Sequence, residues 1–267
     1  MSAELLDAAG TRHVPAPPGA RIVSLVPSVT ELLCDLGLDG TLVGRTGFCI
    51  HPREAVHGIP KVGGTKDVNL AKVRELSPTH VILNVDENRR EDARVLAEFV
   101  PTLVVTHPLA PLDNLALYRL IGGIFGRERE AESLCERFQA GHAALCAAAG
   151  AFAREQVLYL VWRNPWMTVS RDTYVSRMLA LVKWETLPER SSERYPKISL
   201  DDDALGAASV VLLSSEPYPF REVHLAEVRA RLPRARRVEL VDGEMISWYG
   251  SRAVAALGYL LRFRSST

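Results

Sequence analysis

Short apolar runs alternate with longer amphipathic stretches along the chain, and the whole alternation occurs twice. RIVSLV (Arg21 to Val26), TLVG (Thr41 to Gly44), HVILNV (His80 to Val85) and TLVVT (Thr102 to Thr106) read as short buried strands. Helical runs separate them, near Leu70 to Leu76 and Asn88 to Phe99, with another from Leu112 to Phe125. Pro27 and Ser28 follow the first strand. Ser28, with Glu31 three residues on, predicts a capping box for a helix that ends at Gly37. The second series comprises QVLYLV (Gln156 to Val161), VVLL (Val210 to Leu213) and RVELV (Arg237 to Val241). Its helices run from Thr173 to Val182, Glu222 to Arg231 and Ser251 to Phe263. Strands that alternate with helices predict parallel sheets.

Between the two series stands RERE AESLCERFQAGHAALCAAA, from Arg127 to Ala149, which follows a break at Gly126 and is rich in helix formers. Leu134, Phe138 and Leu145, flanked by Cys135 and Cys146, recur at helical spacing. As a helix it would be about 35 Å long. The pattern therefore predicts an α/β chain of two Rossmann-like lobes with parallel sheets, bridged by a single long α-helix. The first lobe covers residues 1–111, a linking segment 112–152 holds the backbone helix at about 127–149, and the second lobe covers 153–267.

The two lobes repeat one another. Leu70 to Glu87 matches Leu200 to Glu216, with Leu76 and Leu205, Val81 and Val210, and Glu87 and Glu216 each offset by 129. Each lobe then carries a glutamate just past the carboxyl end of a strand. Ligands bind at that end of open α/β sheets, so the repeat aims two carboxylates at one cleft between the lobes.

Composition narrows the functions. Of the residues, 47% are hydrophobic, ample for a core, and Lys plus Arg equals Asp plus Glu at 32 each, which gives no basic field for nucleic acid. No apolar run reaches transmembrane length, and the first residues lack the basic head and apolar core of a signal peptide. Cys34, Cys49, Cys135 and Cys146 have no CxxC spacing, and unpaired thiols fit a reducing compartment.

Only 7% of residues are aromatic, yet they gather at strand ends: Phe48, Trp162, Trp166, Tyr218, Phe220, Trp248 and Tyr249. Flat rings in Pro- and Gly-containing loops, mixed with Arg45, Arg163, Asn84, Asn88, Glu87 and Glu216, suit a large, partly apolar ligand with polar edges. Cys49 and His51 in GFCIHP are two metal-capable groups without further partners, so no intrinsic metal site is expected; His51 could coordinate a metal already held in a chelate. VGGTKD has neither a Walker A nor a GxGxxG spacing, and Lys66 in it could attract an anionic group. The serines of SSE lack the GxSxG elbow, which argues against a hydrolase.

RIVSLVPSVTELLCDLG, VGGTKDVNLAKV, the long helix and DGEMISWYGSR together resemble the helical-backbone metal receptors, the substrate-binding proteins of ABC importers for vitamin B12, ferric siderophores and haem. Within them, GRTGFCIHP, GGTKDVNL, SSEPYPF and DGEMISWYGSR look like the branch labelled cobalamin-binding. The resemblance implies a non-enzymatic receptor with no intrinsic cofactor, which holds a corrinoid, ferric siderophore or haem in its cleft. Phe48, Trp162, Trp166, Trp248 and Tyr249 would cover the chelate. Arg45, Arg163 and Lys66 would meet its anionic edges. It also implies docking on a permease through one acid per lobe. Asp201 to Asp203 stand at that place in the second lobe, but Ala71 and Lys72 stand there in the first, where a lysine would repel the permease arginines. With the free cysteines, this tilts the expected location to the cytoplasm. The alternatives are a periplasmic importer subunit whose leader has been removed, and a cytoplasmic enzyme that acts on the chelate through Cys49 and His51.

Overall fold

The structure, a computed structural model, describes residues 4–266. Two compact units emerge. The first holds the chain up to Pro108 with Leu112–Phe138 and Tyr249–Arg252; the second holds Leu109–Pro111, Gln139–Trp248 and the chain from Ala253. The residues expected as a linking segment, 112–152, are thus shared between them.

In the first unit the strands are β1 (Ile22–Ser24), β2 (Leu42–Arg45), β3 (His80–Asn84) and β4 (Thr102–Thr106). They form a parallel sheet in the order β2-β1-β3-β4. The helices are α1 (Pro27–Asp35), α2 (Arg53–Val56), α3 (Leu70–Glu75), α4 (Arg90–Leu96) and α5 (Asp113–Phe125). One face of the sheet packs Val23, Leu25, Val81 and Leu83 with Val62, Val73, Leu96 and Val100. Both central strands are buried along their whole length, as their unbroken apolar runs require. α3 begins at Asn69, whose side chain accepts a bond from the Lys72 N–H.

The capping box predicted for α1 does not form. The helix starts two residues earlier, at Pro27 behind Val26, and no side chain caps it. Proline has its φ already set for a first helical turn and no N–H to satisfy, so it takes the first position and Ser28 is drawn inside the helix. Glu31 is left free for another partner and pairs with Arg252, with both oxygens at 2.7 Å.

Helix α6 (Glu128–Ala149) is continuous over 22 residues and contributes to both units. The second unit holds β5 (Glu155–Leu160), α7 (Tyr174–Ala180), β6 (Trp184–Thr186), β7 (Val210–Ser214), α8 (Glu222–Arg231), β8 (Arg237–Val241), α9 (Gly243–Ser247) and most of α10 (Arg252–Ser265). Its parallel sheet runs β6-β5-β7-β8, the same order of connection as in the first unit. The pattern of the sequence misses β6, α2 and α9. β6 is only three residues with Glu185 in the middle, too short for an alternation to register, and is held by Trp184, which is fully buried and donates its ring N–H to Glu155 at 3.2 Å.

The internal repeat is real, but its register differs by one residue. In β3, His80 pairs with Ile22 and Thr102; in β7, Val210 pairs with Val157 and Arg237. Equivalent positions therefore differ by 130, and Asn84 matches Ser214. The Asp86 N–H bonds the side chain of Asn84 at 2.8 Å, and the Glu216 N–H lies 3.4 Å from the Ser214 hydroxyl. Glu216 corresponds to Asp86, with Glu87 one place further on. The cause is a connection of three residues after Leu76 against four after Leu205.

Candidate functional site

In the first unit, β2 ends at Arg45, and the chain turns through Thr46, Gly47 and Phe48 into the buried Cys49. Arg45 is itself buried and donates to the carbonyls of Val56 at 2.8 Å and Thr46 at 3.1 Å. It clamps α2 to the strand through these two bonds. Cys49 is fully buried, 3.1 Å from the Thr46 hydroxyl, and burial pushes its thiol pKa up. A buried, protonated thiol is neither a metal ligand nor a nucleophile. Phe48 between them is turned outward and 61% exposed, with a Cβ position on Gly64 only 3.4 Å from its ring. His51 is half-buried.

The other loops are tied together by the two asparagines. Asn84 donates to the Thr106 carbonyl at 3.0 Å and accepts from the N–H groups of Asp86 and Glu87. Asn88 accepts from the Asn84 N–H at 2.8 Å and donates to the carbonyls of Leu25 and Thr65. Both are buried, so Asn88, expected as a ligand contact, instead rivets three segments at the carboxyl end of the sheet. Lys66 is exposed and donates to the Asp86 carbonyl at 2.6 Å. Beside it, Asp86 pairs with His107 at 3.4 Å.

Glu87 accepts a short hydrogen bond from the Tyr249 hydroxyl. Tyr249 is buried, and burial together with the Glu87 carboxylate raises its hydroxyl pKa well above the ordinary tyrosine value, so it is a permanent donor. The next residue fixes this pair. Gly250 has φ +83°, its N–H donates to Asn114 at 2.7 Å, and its carbonyl accepts from Tyr118 at 2.8 Å. A Cβ there would lie 3.0 Å from the Ser28 carbonyl. Only glycine suits both the conformation and the space.

In the second unit, a tight loop from Trp162 to Met167 follows β5, closed by bonds between Val161, Trp162 and Met167. It carries two tryptophans with different fates. Trp166 is buried and stacks on Phe220 at 6.0 Å, and both belong to the apolar core with Leu158, Leu213 and Val228. Trp166, expected to cover a ligand, and Phe220, expected as a ligand contact, thus lie in the core of this unit. Trp162 is 40% exposed and meets the edge of the half-buried Tyr218 at 5.7 Å. Arg163 is engaged by Glu227 through two bonds, at 3.0 and 3.3 Å, with its guanidinium over Trp166.

Glu216 stands past the end of β7 and is half-buried. Its Oε1 accepts from the Ser247 hydroxyl at 2.6 Å and from the Trp248 ring N–H at 2.8 Å. Trp248 is buried and so contributes this N–H as much as its ring. α9 brings both donors close because Asp242 caps it through the Met245 N–H and because Gly243 has no side chain: a Cβ there would lie 2.7 Å from Glu216 Cγ. Burial raises the Glu216 pKa, Glu244 and Asp242 raise it further, and the two hydrogen bonds oppose the shift.

Sequence reasoning missed Asp86, His107, Ser247, Asn114 and Tyr118. Ser247 lay within DGEMISWYGSR, where the aromatic residues drew attention, and Asn114 and Tyr118 lie in a helix remote in sequence from the loop they hold. Of the residues weighed for permease docking, Asp201 is ion-paired with Arg231, and Lys72 lies in the first turn of α3. Among the described residues no group of three or more His, Cys, Asp or Glu could hold a metal ion, and no helix is long and apolar enough to cross a membrane.

The family model described as periplasmic binding protein matches residues 22–217. No curated protein matches the chain by sequence. Among solved structures, the periplasmic vitamin B12 binding protein BtuF of Vibrio cholerae is similar with a TM-score of 0.80 at 16% identity, covering 92% of this chain and 98% of that one. The apo periplasmic heme-binding protein RhuT of Roseiflexus sp. RS-1 has a TM-score of 0.76 at 23% identity over 92% and 98% of the chains. The periplasmic heme binding protein HutB of Vibrio cholerae has a TM-score of 0.76 at 21% identity over the same shares. At these identities the likeness speaks for the fold.

Proposed function

The chain belongs to the periplasmic binding protein family, and we propose that it is a non-enzymatic receptor for a metal chelate: a corrinoid, a haem or a ferric siderophore. The observation that carries this reading is the pairing, at the carboxyl ends of the strands, of outward aromatic rings with carboxylates held in place. In the first unit these are Phe48 and the Glu87–Tyr249 pair; in the second, Trp162, Tyr218 and Glu216. Exposed rings offer apolar area to a flat macrocycle, and fixed polar groups set its orientation. The similar structures named for vitamin B12 and heme support the same ligand class. Burial of Cys49, one of the two groups with His51 on which an enzymatic reading rests, supports a non-enzymatic receptor.

All four cysteines are free, which supports a reducing compartment and hence the cytoplasm, whereas the family and the similar structures named as periplasmic support the alternative, a periplasmic importer subunit. The engagement of Asp201 by Arg231, with Lys72 in the first unit, supports action without permease docking. Titration of cyanocobalamin, haemin and several ferric siderophores, followed by tryptophan fluorescence, tests the ligand class. Saturable quenching by at least one is expected, and its absence with all of them would sink the reading.

A further inference from the structure

Glu216, past the end of β7, has one oxygen fixed and the other available. Oε1 takes both hydrogen bonds, from Ser247 and Trp248, whereas Oε2 accepts none among the described residues and is not sealed from water. The two donors fix the plane of the carboxylate, and a half-turn about its stem merely interchanges equivalent oxygens. The bare glycine at Gly243 and the start of α9 hold its stem from behind. An acceptor oxygen is thus presented in one direction by a preorganised frame.

The charges that act on Glu216 most strongly are those of Glu244 and Asp242, both negative. Arg163, in the loop after β5, is bound by both oxygens of Glu227. Any ligand group that meets Oε2 therefore meets an acceptor in an anionic surround. A donor gains a charge-assisted hydrogen bond there. A carboxylate is repelled.

We propose that Glu216 sets the polarity of the ligand edge that the second unit accepts: it admits chelates whose periphery carries N–H or O–H donors, amides above all, and discriminates against those whose periphery carries carboxylates. This rests on the chelate-receptor reading and narrows it. The amide-fringed corrinoid class fits, and free haem propionates or polycarboxylate siderophores do not.

The test compares ligands with the same ring and metal but different edges, at a pH above the raised Glu216 value so that the carboxylate is ionised. Cobinamide, fringed with amides, is titrated against cobyrinic acid, in which the same side chains end in carboxylates; haemin is titrated against its bis-amide. For whichever ring binds, the amide form is expected to bind about tenfold or more tightly, the scale of one hydrogen bond to a charged group. In Glu216→Gln that ratio falls toward one, because the amide side chain keeps the acceptor for Ser247 and Trp248 but loses the charge. In Glu216→Asp, which keeps the charge, the preference for amides persists even if both affinities drop. A wild-type protein that binds the carboxylate form as tightly as the amide form overturns the inference and leaves the receptor reading intact. A ratio unchanged by Glu216→Gln removes Glu216 from the role. If no form of either ring binds, and siderophores also fail, the receptor reading falls and takes this inference with it.

Discussion

Replacing Gly250 by alanine tests how the Tyr249–Glu87 pair is held. Gly250 has φ +83°, a region that costs an L-residue about 1–2 kcal/mol. Its new methyl would stand 3.0 Å from the Ser28 carbonyl, a backbone atom that cannot swing aside as a side chain would. Relief requires the 249–251 segment to shift, which weakens the bonds to Asn114 and Tyr118, worth about 1 kcal/mol each. Against this, alanine restricts the unfolded chain and returns about 0.4–1 kcal/mol. The net expectation is a loss of about 2–4 kcal/mol, read as a lower urea midpoint by circular dichroism. Gly58→Ala is the control, since that position has no positive φ and nothing within 4 Å of a Cβ; it should stay within about 0.5 kcal/mol of wild type. A Gly250→Ala protein no less stable than the Gly58→Ala protein would refute the claim that this glycine is required by conformation and space.

Other consequences can be measured independently. Burial raises the thiol pKa values of Cys34, to about 12, and of Cys49 and Cys135, whereas Cys146 is exposed; a thiol reagent should modify one cysteine quickly and three slowly until urea unfolds the chain. Because the folded-state pKa of Glu216 is raised, its favourable contribution is complete below the ordinary carboxyl value of 4.5 and is lost as pH rises through the raised value. Wild type should thus lose stability relative to Glu216→Gln as pH rises above the ordinary carboxyl value in paired urea titrations, and a constant or widening advantage for wild type would contradict the assignment. Asn88→Ala should cost about 2–4 kcal/mol in the same assay, since two buried bonds and one partly buried bond go with it. Phe48→Ala should leave stability within about 0.5 kcal/mol, because the ring is 61% exposed, while weakening chelate binding about tenfold in a fluorescence titration.

The fold was legible in the sequence where its signals are long. Unbroken apolar runs mark both central strands of each sheet, Gly126 marks the end of α5, and α6 could be read to within one residue of its start. Short elements escaped because three to five residues cannot display a period; β6 and α9 are the cases that matter, since α9 carries the donors that hold Glu216. The repeat could be seen, but only the pairing of His80 with Ile22 and of Val210 with Val157 fixes its register.

The candidate site was legible as a set of loops and much less as a set of side chains. Polarity suggested that Arg45, Asn88 and Arg163 would meet a ligand. Each instead satisfies backbone carbonyls or an ion pair that its own unit would otherwise leave open, a demand that no local pattern reveals. Likewise Trp166 and Trp162 sit four residues apart in one loop, and only the packing of Phe220 decides which of them is buried.

The most direct test of the receptor assignment is equilibrium dialysis against coloured chelates, with retained ligand measured by visible absorbance in the wild type and in a Phe48→Ala, Trp162→Ala double variant. The account predicts close to one equivalent of a corrinoid, haem or ferric siderophore retained by the wild type and a large loss of retention in the folded double variant. No retained chelate, or equal retention by both proteins, would contradict it.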